Sequence, residues 1–76
     1  MEQNGNKSGQ VAQRILTHLN DQGLSQRWLA EQTSIPLATL NRRVQGRTSF
    51  TLEELYSVAN ALETSVADLV TLEVNA

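Results

Sequence analysis

The chain has 76 residues, enough for one small domain, and a domain of that size buries only about 60% of its unfolded surface. It has no cysteine and a single histidine, His18, so a disulfide framework and a thiolate metal site are excluded, and one histidine cannot form a zinc site alone. No apolar run approaches the roughly 20 residues of a membrane span, and the opening MEQNGNKSG lacks the apolar block of a signal peptide; the expected location is the cytoplasm.

Residues 1–9, rich in Asn, Gly and Ser, are expected to form a flexible N-terminal arm. Val11, Ile15, Leu16 and Leu19 fall on one face at helical spacing and predict a first helix from about Gln10 to Asp21. Gly23 ends it. Ser25 is a good N-cap for a second helix carrying Leu29 and Ala30 inward. Thr33 and Ser34 make the turn, and Ile35 plugs the core. Pro36 suits the first position of a third helix, which runs to about Gln45 and stops at Gly46. Thr51 with Glu54 three residues later is a capping-box signature for a fourth helix, whose apolar face is Leu52, Leu55, Val58, Ala59 and Leu62. Ser65 caps a short last helix with Val66, Leu69 and Val70 apolar. Residues 70–74 also alternate like a strand, and periodicity leaves helix and strand both open there. The predicted layout is an arm at 1–9, a folded domain at 10–72 and a tail at 73–76. Trp28 is expected to pack at the edge of the second helix near Phe50, and His18 to lie on the surface.

The net charge of −2 conceals a polar distribution. Segment 24–51 holds Arg27, Arg42, Arg43 and Arg47 against Glu31, a local charge of +3. Segment 52–76 holds Glu53, Glu54, Glu63, Asp68 and Glu73 and no basic residue, a local charge of −5. Screening confines each charge to about 8–10 Å, so one end can present a basic face while the other stays acidic. The carboxylates of the last third are expected to be solvated.

A helical projection of the third helix at 100° per residue places Leu40 and Val44 on its core side. Ala38, Arg42 and Gln45 then form the outward stripe, with Thr39 and Asn41 at its edges. Arg42 is suited to pair with guanine O6 and N7, the commonest specific contact in the major groove. Ala38 is small enough to let the helix approach base edges, and Thr39 can meet a base or a phosphate. Leu37 shares the angle of Val44 yet lies at the helix start; partial core packing is favoured over contact with a thymine methyl. Arg43 lies about 80° from the core direction, its stem over apolar surface and its head at solvent or a phosphate. Gln26 and Arg27 open the second helix, whose N-terminal N–H groups suit a phosphate. Arg47 and Thr48 follow the third helix and are placed to grip the backbone on the other side; Asn41 joins this phosphate-contacting set. No catalytic constellation or phosphate loop is present, so an enzyme is not expected, and neither is a cofactor, a metal or a small-molecule ligand.

The stretches Gly23-Leu24-Ser25-Gln26, Leu29-Ala30-Glu31, Ile35, Thr39-Leu40 and Gly46 continue into Phe50-Thr51-Leu52-Glu53-Glu54-Leu55, Ala59, Ala61-Leu62 and Val66-Ala67-Asp68-Leu69. Together they resemble the lambda repressor/Cro-like helix-turn-helix family over about residues 10–70, and TLNRRVQGRTSFTLEEL resembles small regulators from actinobacteria and their phages. The resemblance implies an all-α bundle of about five short helices that binds a double-stranded operator through its third helix. It assigns base reading to Leu37, Ala38, Thr39 and Arg42, and a phosphate contact to Gln26. It also implies dimerisation through the C-terminal part. Three departures stand out. Ser34 replaces the usual turn glycine, Glu63 replaces the glycine after the fourth helix, and Arg43-Val44 replaces an apolar residue followed by Glu. The expected function is a transcriptional regulator, a Cro-like or immunity-type repressor acting at the nucleoid without a ligand-sensing module. The alternative is a protein-interaction module on the same fold, antitoxin-like or an antirepressor.

Overall fold

Local capping chemistry sets most of the helix boundaries. In the computed structural model residues 7–70 are described, with side chains from residue 9 onward. They form five helices: α1 (Lys7–Gln22), α2 (Gln26–Thr33), α3 (Leu37–Val44), α4 (Leu52–Leu62) and α5 (Val66–Val70). The described residues contain no strand. Val70 closes α5 as a helical residue, and the remainder of the ambiguous 70–74 stretch lies outside the described residues, as does the tail at 73–76.

The Ser25 hydroxyl accepts a 2.9 Å hydrogen bond from the Trp28 N–H and starts α2. Ser65 does the same for α5, accepting from Asp68 N–H at 3.0 Å. At α4 the box closes in both directions: Glu54 N–H donates to the Thr51 hydroxyl at 3.1 Å and Thr51 N–H donates to Glu54 Oε1 at 2.9 Å. Pro36 sits one position earlier than expected. Its ψ of 140° is extended, so it is the N-cap of α3, and its carbonyl accepts the first helical bond, from Leu40 N–H at 2.9 Å. Losing a side-chain cap costs about 1 kcal/mol. Thr51→Ala is accordingly expected to lower the melting temperature by about 4–8 °C. A calorimetric scan in which the variant melts with the parent would contradict this account of α4.

Helix α1 departs from expectation at its start. It begins at Lys7, so the last three residues assigned to the arm are helical; the rest of the arm lies outside the described residues. The cause is tertiary. Gly46 ends α3 with φ +80°, and a Cβ there would stand 3.2 Å from the Gly9 Cα. The bare backbones of Gly9 and Gly46 let the first turn of α1 close against the end of α3, overriding the weak helix propensity of Ser8 and Gly9.

Three helices end in the same double-bonded C-terminal motif. Leu24 N–H reaches Leu19 O and Gly23 N–H reaches Asn20 O; Arg47 N–H reaches Arg42 O and Gly46 N–H reaches Arg43 O; Thr64 N–H reaches Ala59 O and Glu63 N–H reaches Asn60 O. The third corner therefore keeps the geometry although Glu63 stands where a glycine is usual, at φ 59°. Left-handed backbone costs a side-chain-bearing residue about 1–2 kcal/mol, partly offset by the extra entropy a glycine loses. Glu63→Gly is expected to raise stability by about 0.5–1 kcal/mol, read as a higher urea midpoint with an unchanged slope; a lower midpoint would refute the strain.

The core is one apolar cluster: Ile15 and Leu19 of α1, Leu29 and Ala30 of α2, Ile35, Leu40 and Val44 of α3, Leu55, Val58, Ala59 and Leu62 of α4, and Leu69 of α5. No polar or charged residue is buried among the described residues. Ile35 plugs the turn as its position suggests. Trp28, Leu37 and Phe50 pack partly buried against this cluster. Helix α1 lies against α3 and α5, and α2 against α3 and α4.

Candidate nucleic-acid interface

The turn between α2 and α3 fixes the orientation of the outward face. Thr33 donates its hydroxyl to Leu29 O at 2.8 Å and accepts from Ile35 N–H at 3.3 Å, while Ser34 takes the left-handed conformation at φ 63°. Ser34 thus adopts the backbone a glycine would favour. Beyond it, α3 buries Leu40 and Val44. Ala38, Arg42 and Gln45 are exposed, with Thr39 and Asn41 half-buried at the edges, which is the arrangement the helical projection gives. Leu37 is half-buried against the core, as its angle favours.

Four of the residues assigned to phosphates lie in the first turn of α2 or just after α3. Gln26 and Arg27 occupy the first turn of α2, where backbone N–H groups have no intrahelical acceptor. Arg27, Arg47 and Thr48 are exposed and Gln26 is half-buried. No ion pair engages Arg27, Arg42 or Arg47 among the described residues.

Arg43, also assigned to a phosphate, differs from these in having partners within the protein. Its guanidinium is committed inside the protein. Nε lies 2.7 Å from Glu54 Oε1, off the line of a hydrogen bond, so that contact is ionic. Nη2 donates to Glu54 Oε2 at 3.3 Å and Nη1 donates to the Thr48 hydroxyl at 2.9 Å. Both charged side chains are about one-fifth exposed, at 19% and 20%. Glu54 is therefore no solvated carboxylate: it closes the α4 capping box and holds α3 at once. Eleven residues separate the pair, and no local pattern in the sequence signals it.

A second tertiary link lies at His18, which stands partly exposed on α1. His18 Nε2 of α1 stands 3.2 Å from Asp68 Oδ2 of α5, and the Thr64 hydroxyl donates to the same oxygen at 2.9 Å. The Thr64 hydrogen bond holds the Asp68 carboxyl below the usual carboxylate range; desolvation opposes it, and His18 adds lesser help. This corner is remote in sequence from α3 and serves to seat α5 on α1.

An all-helical domain in which a short helix, a tight left-handed turn and an arginine-bearing helix follow one another is a helix-turn-helix domain. The helix-turn-helix family model matches residues 15–69, and the chain belongs to that Cro/C1-type family of DNA-binding transcription regulators. Among solved structures it is similar to the crystal structure of the clp gene regulator ClgR from Corynebacterium glutamicum, with 30% identity and a TM-score of 0.79 over 83% of this chain and 67% of that one. No curated protein sequence matches the chain. Among the described residues no helix is long and apolar enough to cross a membrane.

Proposed function

We propose that this protein is a sequence-specific repressor of transcription, of the Cro-like or immunity type found in phages and prophages, that occludes a promoter by laying α3 in the major groove. The observation that carries this reading is the exposed Ala38, Arg42 and Gln45 stripe on a helix whose opposite side is sealed in the core. Arg42 reads a guanine, Ala38 permits close approach, and Thr39 and Leu37 complete the base contacts. Gln26 and Arg27 on one side and Asn41, Arg47 and Thr48 on the other hold the phosphates and set the register. The likeness to a protein described as a gene regulator supports action at a promoter.

One such module covers only about 600–1,000 Å² of its own surface on DNA, so firm occupancy calls for two copies on half-sites about 34–36 Å apart, or a multiple of that. The C-terminal segment is the proposed dimer surface; within the described residues its exposed apolar group is Val70. Selection of bound duplexes from a random pool tests all of this together. A near-palindromic consensus with that spacing is the expected result. Failure to retain any duplex at low salt overturns the reading. Exposed Leu52 and Tyr56 on α4 favour a second one, a protein-interaction module on the same fold. The two part on salt: groove docking weakens steeply as salt rises, whereas an apolar protein interface does not.

A further inference from the structure

Resting on the DNA-binding reading above, we propose that Glu54 is a masking residue: it withholds Arg43 from the DNA backbone and so limits the affinity that does not depend on sequence. Arg43 stands on α3 beside the base-reading stripe, where a free guanidinium would add a phosphate contact to every duplex alike. Three contacts oppose its release, two of them to one carboxylate. That carboxylate is itself held by the α4 cap. Its Oε1 accepts the Thr51 N–H at the start of α4, a place the helix dipole also favours for a negative charge. It cannot follow a departing arginine without opening the cap. Withdrawing Arg43 would leave Glu54, only one-fifth exposed, unpaired beside a polyanion. The pair therefore stays closed on DNA, and α3 presents Arg42 as its one uncompensated cation.

The test measures affinity for the selected operator and for an unrelated duplex of equal length between about 50 and 200 mM salt. In Glu54→Gln the amide oxygen still accepts from Thr51 N–H, since Gln serves a capping box as Glu does, but the mask is removed. Both duplexes should bind more tightly at low salt, and the slope of log affinity against log salt should steepen by about 0.9. In the double variant R43L/E54Q both charges are gone and the parental slope should return. An unchanged slope in E54Q, or a double variant whose slope is flatter than the parent's by about 0.9, overturns the proposal; the latter would mean that Arg43 already sits on a phosphate. A role in folding alone would lower the melting temperature and move neither slope. Should E54Q fail to fold, the double variant decides alone, because replacing a partly buried pair by uncharged residues is commonly tolerated. Failure of the parent itself to bind any duplex is a separate outcome, which overturns the DNA-binding reading and this one with it.

Discussion

Leu40→Ala is expected to cost about 2–5 kcal/mol of folding stability, the range for truncating a fully buried leucine. Leu40 is 0% exposed at the centre of α3, within the cluster that joins all five helices. Helix α3 packs against α1 and α2 and is tied to α4 through Arg43 and Glu54, and a domain this small has little slack to collapse around a cavity at Leu40. A chain of this length has a total stability of about 4–11 kcal/mol, at 0.05–0.15 kcal/mol per residue. The variant thus loses a large share of its margin, and DNA binding falls with the folded population. Urea unfolding followed by helical circular dichroism measures the change; Leu52→Ala, at 63% exposure on α4, is the control and should move within about 0.5 kcal/mol of the parent. A Leu40→Ala loss below about 1 kcal/mol would mean that α3 is not anchored by this side chain.

What the sequence reveals depends on how local the deciding interaction is. The caps at Ser25, Thr51 with Glu54, and Ser65 each involve residues three apart, so their signatures are legible before any fold is known. The outward stripe of α3 is legible too, because it follows from the period of a helix whose core residues are identified. The start of α1 is not. Its early turn depends on Gly9 meeting Gly46 across the bundle, and composition alone reads those residues as unstructured. The departures at Ser34 and Glu63 are visible as substitutions, but only the backbone reveals that both positions keep the left-handed geometry instead of changing it. The carboxylate partners of Arg43 and His18 lie eleven and fifty residues away. Charge polarity along the chain gives no hint that Glu54, in the acidic third, neutralises an arginine of the basic third. The exposed face of α3 is therefore legible in the sequence, whereas the pairing of Arg43 is not, because a tertiary contact decides it.

Arg42→Ala is expected to weaken operator binding by about 1–3 kcal/mol, roughly 5- to 150-fold, and to relax preference at one base pair in each half-site. The geometry makes this variant informative. Arg42 lies about 180° around α3 from the midpoint of Leu40 and Val44, is exposed, and has no ion pair among the described residues. Its removal leaves no cavity and no unpaired buried charge, so the melting temperature should stay near the parent's and the loss should reside in binding alone. That separates it from Leu40→Ala, where binding and stability fall together. It also separates a base contact from a phosphate contact. A guanidinium on guanine O6 and N7 discriminates among sequences, whereas one on a phosphate adds the same affinity to all of them. Competition assays with every single-base variant of the operator distinguish the two. Loss confined to duplexes carrying the preferred base at one position places Arg42 in the groove. Equal weakening across all variants places it on the backbone, and base reading would then rest on Leu37, Ala38 and Thr39 alone, side chains with far less capacity to specify a guanine.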